Sequence, residues 1–275
     1  MVGATDLSDY PAIPPRDFVR KLALKGITLL LLARGYKLPP YFSIRERYEA
    51  WLRPPEPDVR NLGRRLLRTG MIVADVGANV GFLTRHFSDL VGPDGKVFSF
   101  EPDPLNFRFL EFNTGACQNV ERAQVAISNN AEPALLHLNS GSGAGNSLVN
   151  QSQSAQSVAV SCVRLDEFFA DRGNPQINLI KIDVEGAEMK VLQGMSETIR
   201  RLPNLQIIIE YCPKNLESAG IKPSVVYDTL NTLDFAIAAI RKDGTIRNVS
   251  AFDDLEPLLN RNGYVNLFCA RGGLD

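Results

Sequence analysis

The sequence predicts an α/β fold built on a mostly parallel sheet, and three observations carry that expectation. From about residue 57 onward, short apolar runs alternate with helix-like segments, the pattern of a sheet wound through crossover helices. The runs MIVADV (71–76), KVFSFE (96–101), NLIKID (178–183) and LQIIIE (205–210) lack polar alternation, so both faces of the sheet are expected to be covered. Glycines and acidic residues gather at the carboxyl ends of these runs, where open α/β sheets bind their ligands.

Taken in order, strands are expected at 71–76, 96–101, 123–127, 178–183, 205–210, 235–240 and 264–270. Helices are predicted over 81–90, 104–114, 185–200 and 224–233, the last introduced by Pro223 and Ser224. Between the third and fourth strands, ALLHL (134–138) and VAVSCVRL (158–165) alternate enough to form an added hairpin. Their connection, 139–157, is rich in Gly, Ser, Asn and Gln and too poor in apolar residues to pack; it reads as a surface loop or as a mobile substrate lid.

Residues 1–55 read as an N-terminal helical extension and 56–275 as the main domain. Segment 16–37 places Phe18, Leu22, Leu29 and Leu32 among Arg and Lys residues and ends before Pro39 and Pro40, which predicts a basic amphipathic helix followed by a shorter one near 43–52. Packing on the main domain, a peripheral membrane contact through 16–37 and a dimer interface all remain open for it. The first 70 residues hold 13 Lys and Arg against 7 Asp and Glu, and the remainder 17 against 24, so the two parts are expected to do different jobs.

The net charge of -1 argues against a nucleic-acid partner held by bulk electrostatics. The apolar run GITLLLLA (26–33) is bounded by Lys25 and Arg34, well short of the roughly 20 residues that span a bilayer, and no small-residue cleavage site follows it. Cysteines 117, 162, 212 and 269 lie far apart without metal spacing, as expected of thiols in a reducing compartment. The chain therefore reads as cytoplasmic, with any membrane contact peripheral at the inner face.

Three segments carry chemistry. DVGANVG, Asp75 to Gly81, stands where a buried strand turns into a helix, and its glycines let backbone N–H groups approach a ligand. A nicotinamide-dinucleotide fingerprint would need glycine at 77, 79 and 82, but Asn79 and Phe82 occupy two of those positions. The turn suits a compact ligand without pyrophosphate, and S-adenosylmethionine is the candidate. One strand later, Glu101 in FSFEPDP (98–104) can accept hydrogen bonds from both hydroxyls of a ribose. In LIKIDVEGAE (179–188), Asp183, Glu185 and Glu188 cluster where a strand passes into a helix, and Glu210 ends the next strand.

With DVGANVGFLT, GKVFSFEPDPLNFRFLEFN, QVAIS, CVRLDEF, NLIKIDVEGAEMKVLQG and LQIIIE in that order, the chain resembles the FkbM-type methyltransferase family over roughly residues 57–275. The resemblance implies a class I, Rossmann-like S-adenosylmethionine-dependent fold: a seven-stranded sheet of order 3-2-1-4-5-7-6 with the last strand antiparallel. It implies O-methylation of a hydroxyl on a sugar, glycan or secondary metabolite. Asp75, Gly77, Asn79, Gly81 and Phe82 would wall the methionine and ribose, and Glu101 would take the ribose hydroxyls. Pro102, Asp103 and the segment around Ala126 would border the adenine. Asp183, also beside the cofactor, and Glu185 would face the methyl group and the acceptor.

An alcohol is un-ionised at neutral pH, so a base or a metal should take up the proton lost on transfer. Asp183 is the expected base, with Glu185, Glu188 and Glu210 as orienting groups or hard-cation ligands. His86 and His137 read as structural. The Asp-Asn pair of metal-dependent catechol methyltransferases is replaced here by Glu210-Tyr211-Cys212, which weighs against Mg²⁺. A divalent-metal-assisted transfer to another small molecule and a non-catalytic cofactor-binding role stay open as alternatives.

Overall fold

The computed structural model describes residues 15–138, 146–148 and 157–274, and the side chains from residue 19 onward within them. Helices α1 (Pro15–Ala33), α2 (Ile44–Leu52) and α3 (Pro57–Leu66) precede β1 (Ile72–Val76), α4 (Phe82–Val91), β2 (Lys96–Phe100), α5 (Pro104–Thr114) and β3 (Val120–Ala123). Next come β4 (Ala126–Ile127), β5 (Ala134–His137), β6 (Ser157–Val160), β7 (Cys162–Val163) and α6 (Leu165–Ala170). The last third holds β8 (Leu179–Ile182), α7 (Glu188–Gly194), α8 (Ser196–Arg201), β9 (Gln206–Tyr211), α9 (Pro213–Ser218), α10 (Ser224–Thr232), β10 (Ala236–Ile240), β11 (Ile246–Asn248) and β12 (Val265–Ala270).

The main sheet runs β11-β10-β12-β9-β8-β1-β2-β3, with β12 antiparallel to both its neighbours. Without β11 this is the order 3-2-1-4-5-7-6. The sheet thus has eight strands, not the seven expected. The eighth is a three-residue edge strand folded back on β10 through a turn in which Gly244 has φ +79° and the Arg241 and Thr245 backbones bond at 2.8 Å. Asp243-Gly244 is a hairpin signal that the sequence reading passed over.

Four element boundaries also differ from expectation, each for a local reason. The third strand is 120–123 rather than 123–127, because the Ala126 and Ser128 N–H groups bond to the carbonyls of Ser161 and Val163 and pull β4 away to pair with β7. The added hairpin is β5 with β6, so 158–165 divides between two small sheets. The first helix stops at Ala33 rather than 37: Gly35 takes φ +76° and the Gly35 and Tyr36 N–H groups close onto Leu32 and Leu31, a left-handed C-terminal cap. The helix expected over 185–200 starts at 188, because Glu185 and Gly186 have φ +54° and +100°, and it breaks after Gly194, where the Ser128 carbonyl approaches so closely that a Cβ would sit 2.0 Å away. Helix α3 was not foreseen, although Pro57 at its first turn is a start signal.

Alternate strand residues feed the two faces of the sheet. Ala74, Val76, Ile180, Ile182, Ile207 and Ile209 pack with α6, α7, α8 and α10, where Phe98, Phe100, Phe168 and Phe169 meet edge to face. Val73, Leu179, Ile208 and Phe268 pack with Val59 and Leu62 of α3 and Leu83 and Phe87 of α4. The C-terminal half of α1 also belongs to the body of the protein: Ile27, Leu31 and Leu38 are buried with Val80 and Phe82. No helix among the described residues is long and apolar enough to cross a membrane.

Candidate active site

The parallel strands β1, β2, β8 and β9 end at one cavity of about 470 Å³, within the ~300–1,000 Å³ of small-molecule sites. Its first wall is the glycine turn. Gly77 follows β1 at φ +83°, and its missing Cβ would stand 1.7 Å from the Asp183 carbonyl oxygen, so β1 and β8 approach here as only glycine allows. Asp75 is fully buried; Oδ2 accepts the Thr84 hydroxyl at 2.6 Å, while Oδ1 has no partner among the described residues. Asn79, at φ +50°, likewise leaves its buried Oδ1 unpartnered.

Glu101 closes the adjacent wall. It accepts the Asn79 N–H at 2.7 Å and the Asp103 N–H at 2.9 Å, and burial pushes its carboxyl up to about 8. Pro102 and Ala126 line the cavity with Phe82, Leu136 and Leu148. Gly81 and Asp103 do not line it. Gly81 makes room for Leu110, and Asp103 caps α5 by accepting the Leu105 and Asn106 N–H groups, with its other oxygen accepting from Asn146. Of the connection 139–157, read as a loop or lid, only 146–148 and Ser157 are described; Asn146 and Leu148 reach the cavity.

The opposite end is a charge cluster. Asp183, Glu185 and Glu210 bring carboxylate oxygens within 4.8 Å of one another, as the sequence suggested. Glu188 does not join them at the cavity; it accepts the Gly186 N–H at 2.9 Å, beneath the start of α7. At the centre lies Lys181, a residue for which the sequence suggested no role. It is 2% exposed, with Nζ 2.8 Å from Asp183 and 3.7 Å from Glu56. Burial works against its ammonium, but Asp183, Glu56 and Asp75 outweigh that and hold its pKa above the ordinary value. One ammonium cannot neutralise every carboxylate here. Burial first, then the charge of Asp183, pushes Glu210 up to about 11 and Glu185 to about 8; burial takes Glu56 to about 7 against the pull of Lys181. Glu185 also accepts the Asn215 amide at 2.6 Å.

Phe42 and Glu56, which precede α3, and Tyr264, before β12, also line the cavity. A lysine inside an otherwise apolar strand was the available signal for Lys181, since unpaired lysines are almost never fully buried; nothing local marked Phe42, Glu56 or Tyr264. The two histidines stand elsewhere. His86 Nε2 donates to the Arg60 carbonyl at 3.0 Å, and burial, then Arg60, lowers its pKa to about 4. His137 pairs through its backbone with Ser147.

Residues 75–265, more than two thirds of the chain, match the family described as Methyltransferase FkbM domain. The chain belongs to the FkbM methyltransferase family. The match takes in the glycine turn, Glu101, Lys181 to Glu188 and Glu210, and leaves out α1 to α3, so Phe42 and Glu56 lie outside the matched residues. The 2-O-methyltransferase NoeI of Sinorhizobium fredii is 27% identical over 178 residues, 59% of this chain and 72% of that protein. The 31-O-demethyl-FK506 methyltransferase FkbM of Streptomyces tacrolimicus is 32% identical over 161 residues, 48% of this chain and 62% of that one. The hexuronic acid methyltransferase AglP of Haloferax volcanii is 26% identical over 135 residues, 47% of this chain and 52% of that one.

Proposed function

We propose that this FkbM-family protein is an S-adenosylmethionine-dependent O-methyltransferase whose acceptor is a hydroxyl on a sugar, glycan or secondary metabolite. The observation that carries the reading is a single cavity with a ribose-type acceptor, Glu101, at one end and the Lys181–Asp183 ion pair with Glu185 and Glu210 at the other. The cofactor fits what the residues lack. The buried oxygens of Asp75 and Asn79 need donors, and S-adenosylmethionine brings an ammonium and two ribose hydroxyls. The three relatives' names, two of them O-methyltransferases and the third acting on hexuronic acid, support the acceptor class.

When bound, the cofactor supplies a sulfonium methyl group for in-line displacement by the acceptor oxygen. The cavity's task is to hold that oxygen behind the methyl carbon, and such alignment is worth roughly 7–11 kcal/mol in favourable cases. Asp183 would take up the proton that the acceptor hydroxyl loses in that displacement. Lys181 fixes the Asp183 carboxylate. Glu210 and Glu185, with raised pKa values, are suited as neutral carboxyls to hydrogen-bond the acceptor's other oxygens.

The spacing of Asp183, Glu185 and Glu210 favours one second reading, a transfer assisted by a divalent cation. The Lys181 ammonium on Asp183 weighs for the metal-free one. Asp183→Asn tests the proposal: cofactor affinity by calorimetry stays, while turnover on a hydroxyl acceptor falls by about 10²–10⁴-fold. Full activity in the variant removes Asp183 as the base, and parent activity lost to a chelator and restored by Mg²⁺ selects the cation-assisted reading.

A further inference from the structure

Helix α1 leaves the body of the protein halfway along its length. Ile27 and Leu31 are buried, but every residue from Val19 to Gly26 is exposed. At 3.6 residues per turn, Val19, Leu22, Leu29, Leu30 and Ala33 fall within one arc about 100° wide, beside the face that holds Ile27 and Leu31. Val19 is 64% exposed, Leu22 61%, Leu29 66% and Leu30 46%. Six of the twelve exposed large apolar side chains among the described residues lie on this helix. A continuous strip that no other described residue covers marks an interaction surface rather than ordinary scatter.

The charges beside the strip identify what covers it. Lys25 borders one edge with Lys21 beyond it, Arg20 projects from the exposed N-terminal half, and Arg34, stacked on Trp51, follows the helix; all are exposed. From Phe18 to Arg45 the chain holds six Lys and Arg and no Asp or Glu. A second copy packed through the same strip would set cations against cations. A bilayer with anionic headgroups satisfies the strip and the cations at once.

We propose that α1 docks this protein on an anionic membrane surface, lying in the interface with Leu22, Leu29 and Leu30 inserted and Lys21, Lys25 and Arg20 against the headgroups. The docking does not depend on the reaction. The helix hands on to Leu38 and then Phe42, so the anchored segment leads directly to the cavity wall.

Flotation of the full-length protein with vesicles tests this. It is expected to float with phosphatidylcholine vesicles containing about a third phosphatidylglycerol, not with phosphatidylcholine alone, and to be released as salt shrinks the Debye length from about 10 Å towards 3 Å. Lys21→Gln with Lys25→Gln lowers partitioning onto the anionic vesicles by about 30-fold, the equivalent of about 1 kcal/mol per cation. Leu22→Ser with Leu29→Ser abolishes flotation. All four positions are exposed, so thermal melting of both double variants matches the parent. The proposal is overturned by failure to float, by equal binding to neutral vesicles, or by a dimer that sedimentation detects and Leu22→Ser with Leu29→Ser dissolves in a protein that does not float.

Discussion

Lys181 is the residue on which the acceptor end of the cavity turns. Its Nζ is the cation shared by Asp183 and Glu56, and its strand partner on β1 is Asp75. Lys181→Met keeps the length of the side chain and removes the charge. Breaking a buried pair from one side costs about 3–5 kcal/mol, so denaturant unfolding should show a loss of that order. The same variant should move the acid limb of the pH–kcat profile to higher pH, because the carboxylates lose their positive neighbour. His86 makes the contrasting case. The unfolded imidazole takes up a proton below about 6.5 and the folded one only below about 4, so between those values stability falls as pH falls. His86→Gln retains an N–H for the Arg60 carbonyl without titrating. From about pH 7 to pH 5 the unfolding free energy of the parent should therefore fall by about 2 kcal/mol more than that of the variant. At this scale the sequence was legible where a residue ends a strand, as Asp75, Glu101 and Asp183 do. Lys181 carried a signal as a lysine in an apolar strand and pairs with Asp183 two residues on; its second carboxylate, Glu56, far away in the chain, left no trace in the sequence.

Between elements, the junction of β1 and β8 is the tightest contact of the site. Gly77→Ala combines a left-handed φ with a Cβ 1.7 Å from a backbone oxygen, so the strands must separate. We expect at least about 3 kcal/mol of destabilisation, or no soluble protein, measured by thermal melting beside a parent control. The alternation of strands and helices could be read from the apolar runs, the strand order came from the family resemblance, and α5 spans the expected 104–114. Ends that depend on a distant backbone could not be read. The break after Gly194 needs the Ser128 carbonyl, and the departure of β4 from the sheet needs β7.

Across the whole molecule, the division expected at residue 55 hides a shared surface. Ile27, Leu31 and Leu38 cover Val80 and Phe82, and Tyr36 meets Phe82 with ring centroids 4.8 Å apart. A chain starting at residue 56 would expose that patch beside the glycine turn. It should lose on the order of 5 kcal/mol, at about 1.5–3 kcal/mol for each buried apolar side chain, a loss that denaturant unfolding beside the 275-residue chain measures. The charge asymmetry between the two parts was readable from composition; their mutual packing was not, because the apolar residues involved also suit a membrane or a second copy. The close passage of Gly77 against Asp183 has a consequence for how such an enzyme can diversify. The proposed cofactor cradle and the proposed base are one tightly packed piece of backbone, joined also by the Asp183 N–H on the Val76 carbonyl at 3.0 Å. Neither can be retuned without disturbing the other. New acceptor preferences must therefore be written into the replaceable panels around that hinge-less centre, at Phe42, Leu136, Leu148 and Tyr264, which makes those positions the place to begin a directed-evolution library.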